Sequence, residues 1–232
     1  MTETSKRYVE IFDDSEHADQ YADSPTKFMP GYHAVQKMAG VLLRQYTPSN
    51  ARVLVHGAGG GSEIEAFAKE NSEWTFLGVE PAKPMLEEAR KRLGEFSQRV
   101  KFHHGYVEDA PSGPFDASTS LLTLHFLNTE ERRKAVSEIV RRLKPGAAFI
   151  AAHCSFSQNT DQREVWLQRH KAFTMASGVD AETAENGRKV ISDSLEVLDP
   201  EIDEKILRDA GLSDVTLFYA AFTWRGWVGR VP

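Results

Sequence analysis

The stretch Val53-Leu54-Val55-His56-Gly57-Ala58-Gly59-Gly60-Gly61 constrains this chain more than any other. A short β-branched apolar run enters it, four glycines turn it, and an amphipathic segment from Ser62 to about Glu70 leaves it. A strand, a glycine turn and a helix N-terminus in that order let a ligand come close to the backbone, with unpaired N–H groups directed at it. The segments on either side then have to supply the rest of a sheet and a cover for the ligand.

The pattern that follows is an alternation of strands and helices. Helical spacing of Val35, Met38, Ala39, Leu42 and Leu43 predicts a helix from His33 to about Tyr46, ended by Thr47-Pro48-Ser49-Asn50. Strands are expected at Arg52–His56, Trp74–Glu80, Arg99–His103, Phe115–Leu122 and Ala147–Ala152. Between them lie a helix with Ile64, Phe67 and Ala68 on one face and another with Met85, Leu86, Ala89 and Leu93. Asn128-Thr129-Glu130-Glu131 reads as a capping box opening a third helix, which Lys144-Pro145-Gly146 stops. Strands alternating with helices of this length predict a parallel sheet covered on both faces.

The alternation breaks after residue 153. Helices are expected at Glu164–Met175 and Glu182–Val197, then at Ile202–Ala210, followed by strands at Val215–Ala221 and Phe222–Val231. The expected fold class is therefore α/β: a Rossmann-like, mostly parallel seven-stranded sheet with helices on both faces and a helical cap insert. The expected division is an N-terminal helical cover (1–48), a cofactor-binding core (49–154), the cap insert (155–200) and a closing helix with a strand hairpin (201–232). Residues 1–30 are polar with scattered aromatics, Tyr8, Phe12, Tyr21 and Phe28, and read as a loose leader with one or two short helices.

The formal net charge of -6 argues against nucleic acid as a partner. Arg90-Lys91-Arg92, Arg132-Arg133-Lys134 and Arg141-Arg142 fall on amphipathic helices and read as solvated faces. Cys154 is the only cysteine, which rules out an intrachain disulfide and fits a reducing compartment. No apolar run approaches the roughly 20 residues of a membrane span, and Met1–Glu10 lacks a signal-peptide core. The expected location is the cytoplasm.

A glycine turn followed by an acid at the end of the second strand, Glu80, fits either a dinucleotide or S-adenosylmethionine, since a carboxylate there accepts from ribose hydroxyls. Ser62 stands where the dinucleotide pattern needs its third glycine, so an NAD(P)-dependent oxidoreductase ranks below the looser G-x-G-x-G reading. Four later pieces arrive in register: Glu80-Pro81-Ala82-Lys83-Pro84-Met85-Leu86, Gly105-Tyr106-Val107-Glu108-Asp109-Ala110, Phe115-Asp116-Ala117-Ser118-Thr119-Ser120, and Arg141-Arg142-Leu143-Lys144-Pro145-Gly146. With the turn they resemble the class I S-adenosylmethionine-dependent methyltransferases over residues 52–152. Pro30-Gly31-Tyr32, Thr123-Leu124-His125-Phe126-Leu127 and a helical insert with Gly178 and Arg188 resemble the carboxy-S-adenosylmethionine synthase branch.

That resemblance implies S-adenosyl-L-methionine as cofactor and a set of site residues. Gly57, Gly59 and Gly61 would approach its methionine and ribose portions, and Glu80 would accept from the ribose. Pro81 and Met85 would pack near the adenine, which Tyr106 and Val107 would flank. Ser120 and Leu121 would lie beneath the methionyl part. His56 stands where an acid usually ends the first strand, and Tyr106 where an acid often follows the glycine, so two negative charges are missing beside a cationic ligand. Substrate-side candidates are Tyr32, Trp166, Arg188 and Trp224, with Arg188 implied as the holder of an added carboxylate. His125 and His153 follow the fourth and fifth strands, at the edge where open sheets bind ligands, and are candidate bases. His103 and His104 are adjacent in a strand and point oppositely, and nothing has zinc-ligand spacing. The expected function is methyl transfer to a small-molecule acceptor. Alternatives are a carboxy-S-adenosylmethionine synthase-like transferase acting in tRNA wobble-uridine modification, or a non-catalytic binding module. The resemblance also implies a homodimer.

Overall fold

In the computed structural model the described residues are Val9, Phe12 and 24–232. The leader's expected short helices, with Tyr8 and Tyr21, lie outside them. A helical turn at Pro25–Phe28 leads into α1 (Tyr32–Arg44). Then come β1 (Arg52–His56), α2 (Ser62–Glu70), β2 (Thr75–Glu80), α3 (Lys83–Leu93), β3 (Val100–His104) and β4 (Phe115–Leu121). The second half holds α4 (Thr129–Val140), β5 (Leu143–Cys154), α5 (Thr160–Ala176), α6 (Ala181–Asp193), α7 (Pro200–Asp209), β6 (Ser213–Ala221) and β7 (Trp224–Arg230).

The seven strands form one sheet in the order β3-β2-β1-β4-β5-β7-β6. Strands β1 to β5 pair in parallel, and β7 runs antiparallel to both of its neighbours. The order reverses between β1 and β4, and a crevice opens at the carboxyl ends of strands where such a reversal occurs. Side chains of β1 alternate between two cores. Val53 and Val55 join the cluster with Ala39, Ile64 and Phe67 of α1 and α2. Leu54 joins Val136 and Ile139 of α4 and Ile206 of α7 on the other face. Burying both faces explains why the central strands read as nearly continuous apolar runs.

Several boundaries differ from expectation, among them the start of the first insert helix, at Thr160 rather than Glu164. Lys144-Pro145-Gly146 does not precede β5 but lies within it. Leu143 pairs with Phe115 and Ala148 with Ala117, so the residues between bulge out of the ladder, where a proline is tolerated. The second insert helix ends at Asp193 rather than Val197. Leu195 and Val197 turn onto the core, and the Glu196 carbonyl accepts from Arg132. The capping box at α4 is present in full, with Asn128 and Glu131 satisfying each other's backbone N–H. Among the described residues no helix is long and apolar enough to cross a membrane.

Candidate active site

The glycine turn, the ends of β2 and β4, and the start of α1 enclose a cavity at the reversal point. Gly57 leaves β1 with φ +72°, and a Cβ there would run into the Thr123 side chain. Only glycine lets the turn pass this close to the segment after β4. Gly59, at φ +46°, donates its N–H to Glu80 Oε2 at 3.0 Å, and Ala82 donates to Glu80 Oε1 at 3.0 Å. The Glu80 carboxylate is thus oriented by two backbone donors, with both oxygens at the cavity wall.

The turn's N–H groups are largely engaged inside the protein, contrary to the expectation that they point at the ligand. Those of Gly57 and Ala58 bond the Val79 carbonyl, and that of Gly61 bonds the Ala58 carbonyl. Gly61 itself packs α2 against α3, since a Cβ on it would press on Ala89. The turn is shaped to let a ligand approach, without the open nest of donors that a pyrophosphate requires.

The other walls come from separate elements. Met85 and Pro81 line one side, and Tyr106 and Val107 another. Leu121 ends β4, and Leu122 just after it takes a left-handed φ of +59°. That conformation costs a non-glycine residue about 1–3 kcal/mol. It is held by the Leu122 N–H bonding the Ala152 carbonyl, and it bends the chain so that Thr123, Phe126 and Leu127 reach the cavity. Tyr32 and Gln36 close the cavity from α1.

His56 lines the cavity but is buried, and burial pushes its imidazole down to about 4 despite Glu108, so it is neutral at pH 7. Its Nδ1 shares a 2.9 Å hydrogen bond with the Ser120 hydroxyl beneath. Glu63, in the first turn of α2, was not foreseen as a site residue. The residue is 6% exposed and lines the cavity, and its carboxyl accepts from Thr119 Oγ1 at 2.5 Å. Burial pushes it up to about 8, against the Thr119 hydrogen bond. The available signal was a carboxylate four residues before the buried Phe67, on the apolar face of its helix.

Of the expected site residues, His56, Gly57, Gly59, Glu80, Pro81, Met85, Tyr106, Val107, Leu121 and Tyr32 come together on this cavity. Gly61 and Ser120 lie behind its wall. His125, His153, Trp166, Arg188 and Trp224 do not line it. His125 Nδ1 accepts the Cys154 N–H at 3.3 Å, and burial followed by His153 and Arg132 holds the ring well below the usual histidine range. With that nitrogen occupied, the neutral ring has no basic lone pair to offer a substrate. His153 lies on the opposite face of the sheet, 3.2 Å from Asp203. Trp224 is buried, donates to the Phe28 carbonyl and stacks on the Phe28 ring. Trp166 is covered by the Arg169 and Arg225 guanidiniums. Arg188 pairs with Glu185 at 2.8 Å on the insert. The described residues hold no group of three or more His, Cys, Asp or Glu placed for a metal ion.

The family model for a methyltransferase domain matches residues 53–146, the segment that carries the turn, Glu80 and β4. Residues 53–146 are a methyltransferase domain. Outside it the likeness continues at lower resolution. The carboxy-S-adenosyl-L-methionine synthase of Staphylococcus epidermidis is 23% identical over 223 residues, covering 95% of each chain. That of Actinobacillus succinogenes is 22% identical, covering 91% of this chain and 89% of its own. Among solved structures, magnesium protoporphyrin IX methyltransferase from Synechocystis PCC 6803 with bound SAM superposes at a TM-score of 0.69. It is 14% identical and is covered over 99% of its length, as this chain is over 100%. The [4+2]-cyclase SpnF superposes at 0.62 with 17% identity, covering 86% of this chain and 82% of its own. The methyltransferase domain thus has the Rossmann-like architecture of these proteins, and a fold that also carries a cyclase leaves the reaction to be argued from the site.

Proposed function

We propose that this chain is an enzyme that binds S-adenosylmethionine in the cavity and transfers its methyl group to a small-molecule acceptor. One observation carries the reading. The described lining of the cavity holds two carboxylates, Glu63 and Glu80, and no lysine or arginine, while the N–H groups of Gly57, Ala58, Gly59 and Gly61 are engaged. That environment fits a ligand with a ribose and a cationic tail, and it disfavours a dinucleotide's pyrophosphate.

When bound, S-adenosylmethionine supplies a sulfonium-activated methyl group that leaves by in-line displacement. The residues provide position and dryness. Glu80 would hold the ribose hydroxyls, Met85 and Val107 the adenine, and the Gly57–Gly59 turn the methionine portion, with Ser120 fixing His56 beneath. Phe126 and Leu127 give the acceptor side an apolar wall. His56, neutral and tied to Ser120, serves as an uncharged wall rather than a cation beside the sulfonium.

A second reading, a carboxy-S-adenosylmethionine synthase-like transferase in tRNA modification, is favoured by relatives of that name matching nearly end to end. Mass spectrometry of small molecules released from the purified protein separates the two. S-adenosylmethionine or S-adenosylhomocysteine supports methyl transfer; the carboxylated cofactor replaces it with the second reading. A cytoplasmic location goes with the proposal, supported by the single, buried Cys154. So does a homodimer through α5 and α6, which expose Val165, Met175 and Val190. A monomer at micromolar concentration in sedimentation would remove the homodimer.

A further inference from the structure

The first strand ends without an anion. Val55 is buried and apolar, and His56 is neutral. An ammonium drawn into this water-poor site needs a carboxylate partner, because an unpaired charge there is costly. Glu80 is committed to the other end of the cavity by Gly59 and Ala82. Glu63 enters from the helix side instead. The register sets Thr119 of β4 beside Val55 of β1, and the Thr119 hydroxyl holds one Glu63 oxygen just beneath the turn. No lysine, arginine or histidine among the described residues pairs with Glu63.

Resting on the cofactor reading above, we propose that Glu63 is the anion that receives the cofactor's ammonium group, replacing an acid at the end of β1. The carboxylate comes from the helix that follows the turn, not from the strand that precedes it. Beside it are Thr119 from β4, which bonds it, and Tyr32 from α1, whose hydroxyl feels Glu63 and Arg92 and bonds Ser62 and Gln36; His56 and Glu80 line other parts of the same cavity. Burial holds the Glu63 carboxyl at about 8, so it is mostly protonated at pH 7. An arriving ammonium favours the carboxylate, and the displaced proton passes to solvent. Binding therefore releases nearly one proton per cofactor at pH 7 and tightens as pH rises from 6 to 8.

The test is calorimetric titration of S-adenosylhomocysteine into the full chain at pH 7, in two buffers of different ionisation enthalpy. Wild type should release close to one proton. Glu63→Gln, which keeps the shape of the protonated acid, should melt no lower than wild type, bind about tenfold to a hundredfold more weakly and release none. 5′-Methylthioadenosine, which lacks the amino-acid tail, should bind wild type without proton release. Equal proton release by wild type and Glu63→Gln, or tight binding to wild type with none, overturns the role of Glu63 alone. Failure of both nucleosides to bind wild type overturns the cofactor reading and this inference with it.

Discussion

On the β1–β4 side of the sheet, the buried acids Glu63 and Glu80 face a cavity. On the β5–β7 side, buried Asp203, Arg132 and His153 face one another. Arg132 bonds Asp203 at 2.5 Å and the carbonyls of Leu127 and Glu196, tying α4, α7 and the end of the insert together. Burial works to raise the Asp203 carboxyl, but His153 and Arg132 outweigh it and hold the group down at about 2. His170 is likewise matched to Thr223, and His125 to the Cys154 N–H. Polar residues at the carboxyl edge are thus of two kinds. Those closed on protein partners hold the fold, and those open to a cavity hold a ligand.

Substitutions that hit one side and spare the other sharpen this contrast. The largest effect is expected from Asp203→Ala, which leaves Arg132 buried without its partner and costs about 3–5 kcal/mol in denaturant unfolding. The folded fraction should bind S-adenosylhomocysteine within twofold of wild type, and lost affinity at unchanged stability would merge the two classes. Gly57→Ala should lower stability by about 2–3 kcal/mol, from its positive φ and the collision with Thr123, and weaken binding as well. Glu80→Gln should weaken binding about tenfold to a hundredfold, the 1.5–3 kcal/mol of hydrogen bonds to a charged group, and also lower stability by about 1–3 kcal/mol, because its amide nitrogen would face either the Gly59 or the Ala82 N–H.

Acid titration separates the residues by pH. Burial holds His56 and His170 down at about 4, whereas unfolded histidines titrate near 6.5. The unfolded chain binds their protons first, so stability is full above pH 6.5 and falls as pH drops toward 4. Asp203, held at about 2, adds its own loss only below about pH 4. Unfolding midpoints measured across this range should show both steps, and a flat profile from 6.5 to 4 would contradict the buried neutral histidines. The smallest effect belongs to Arg188→Ala, which removes ion pairs with Glu185 and Glu164 on the insert. It should change stability by less than about 1 kcal/mol and leave S-adenosylhomocysteine affinity unchanged. A large loss of affinity for the carboxylated cofactor would favour the second reading.

The sheet was legible because its signals are local. The β-branched run at 53–55, the capping pair Asn128 and Glu131, and the glycines at 57 and 59 each act within a few residues. The β5 boundary was not, because Lys144-Pro145-Gly146 reads as a stop and only the ladder with Phe115 and Ala117 shows it to be a bulge. At the cavity, the position of Glu80 was legible from its spacing after the turn, and that of Met85 only through the resemblance. His125, His153 and Trp224 were misleading for one shared reason. Their partners, Cys154, Asp203 and Phe28, lie far away in sequence, so a sealed histidine and an open one look alike. Glu63 was overlooked because a charged residue in a first helical turn ordinarily serves the helix dipole.

The most direct test of the central claim is equilibrium binding of S-adenosylmethionine and S-adenosylhomocysteine to the purified full chain. Both should bind with one site per chain and micromolar dissociation constants, and Glu80→Gln should weaken both. No binding of either at millimolar concentration, by a protein that melts cooperatively, would contradict the claim that this cavity holds the cofactor.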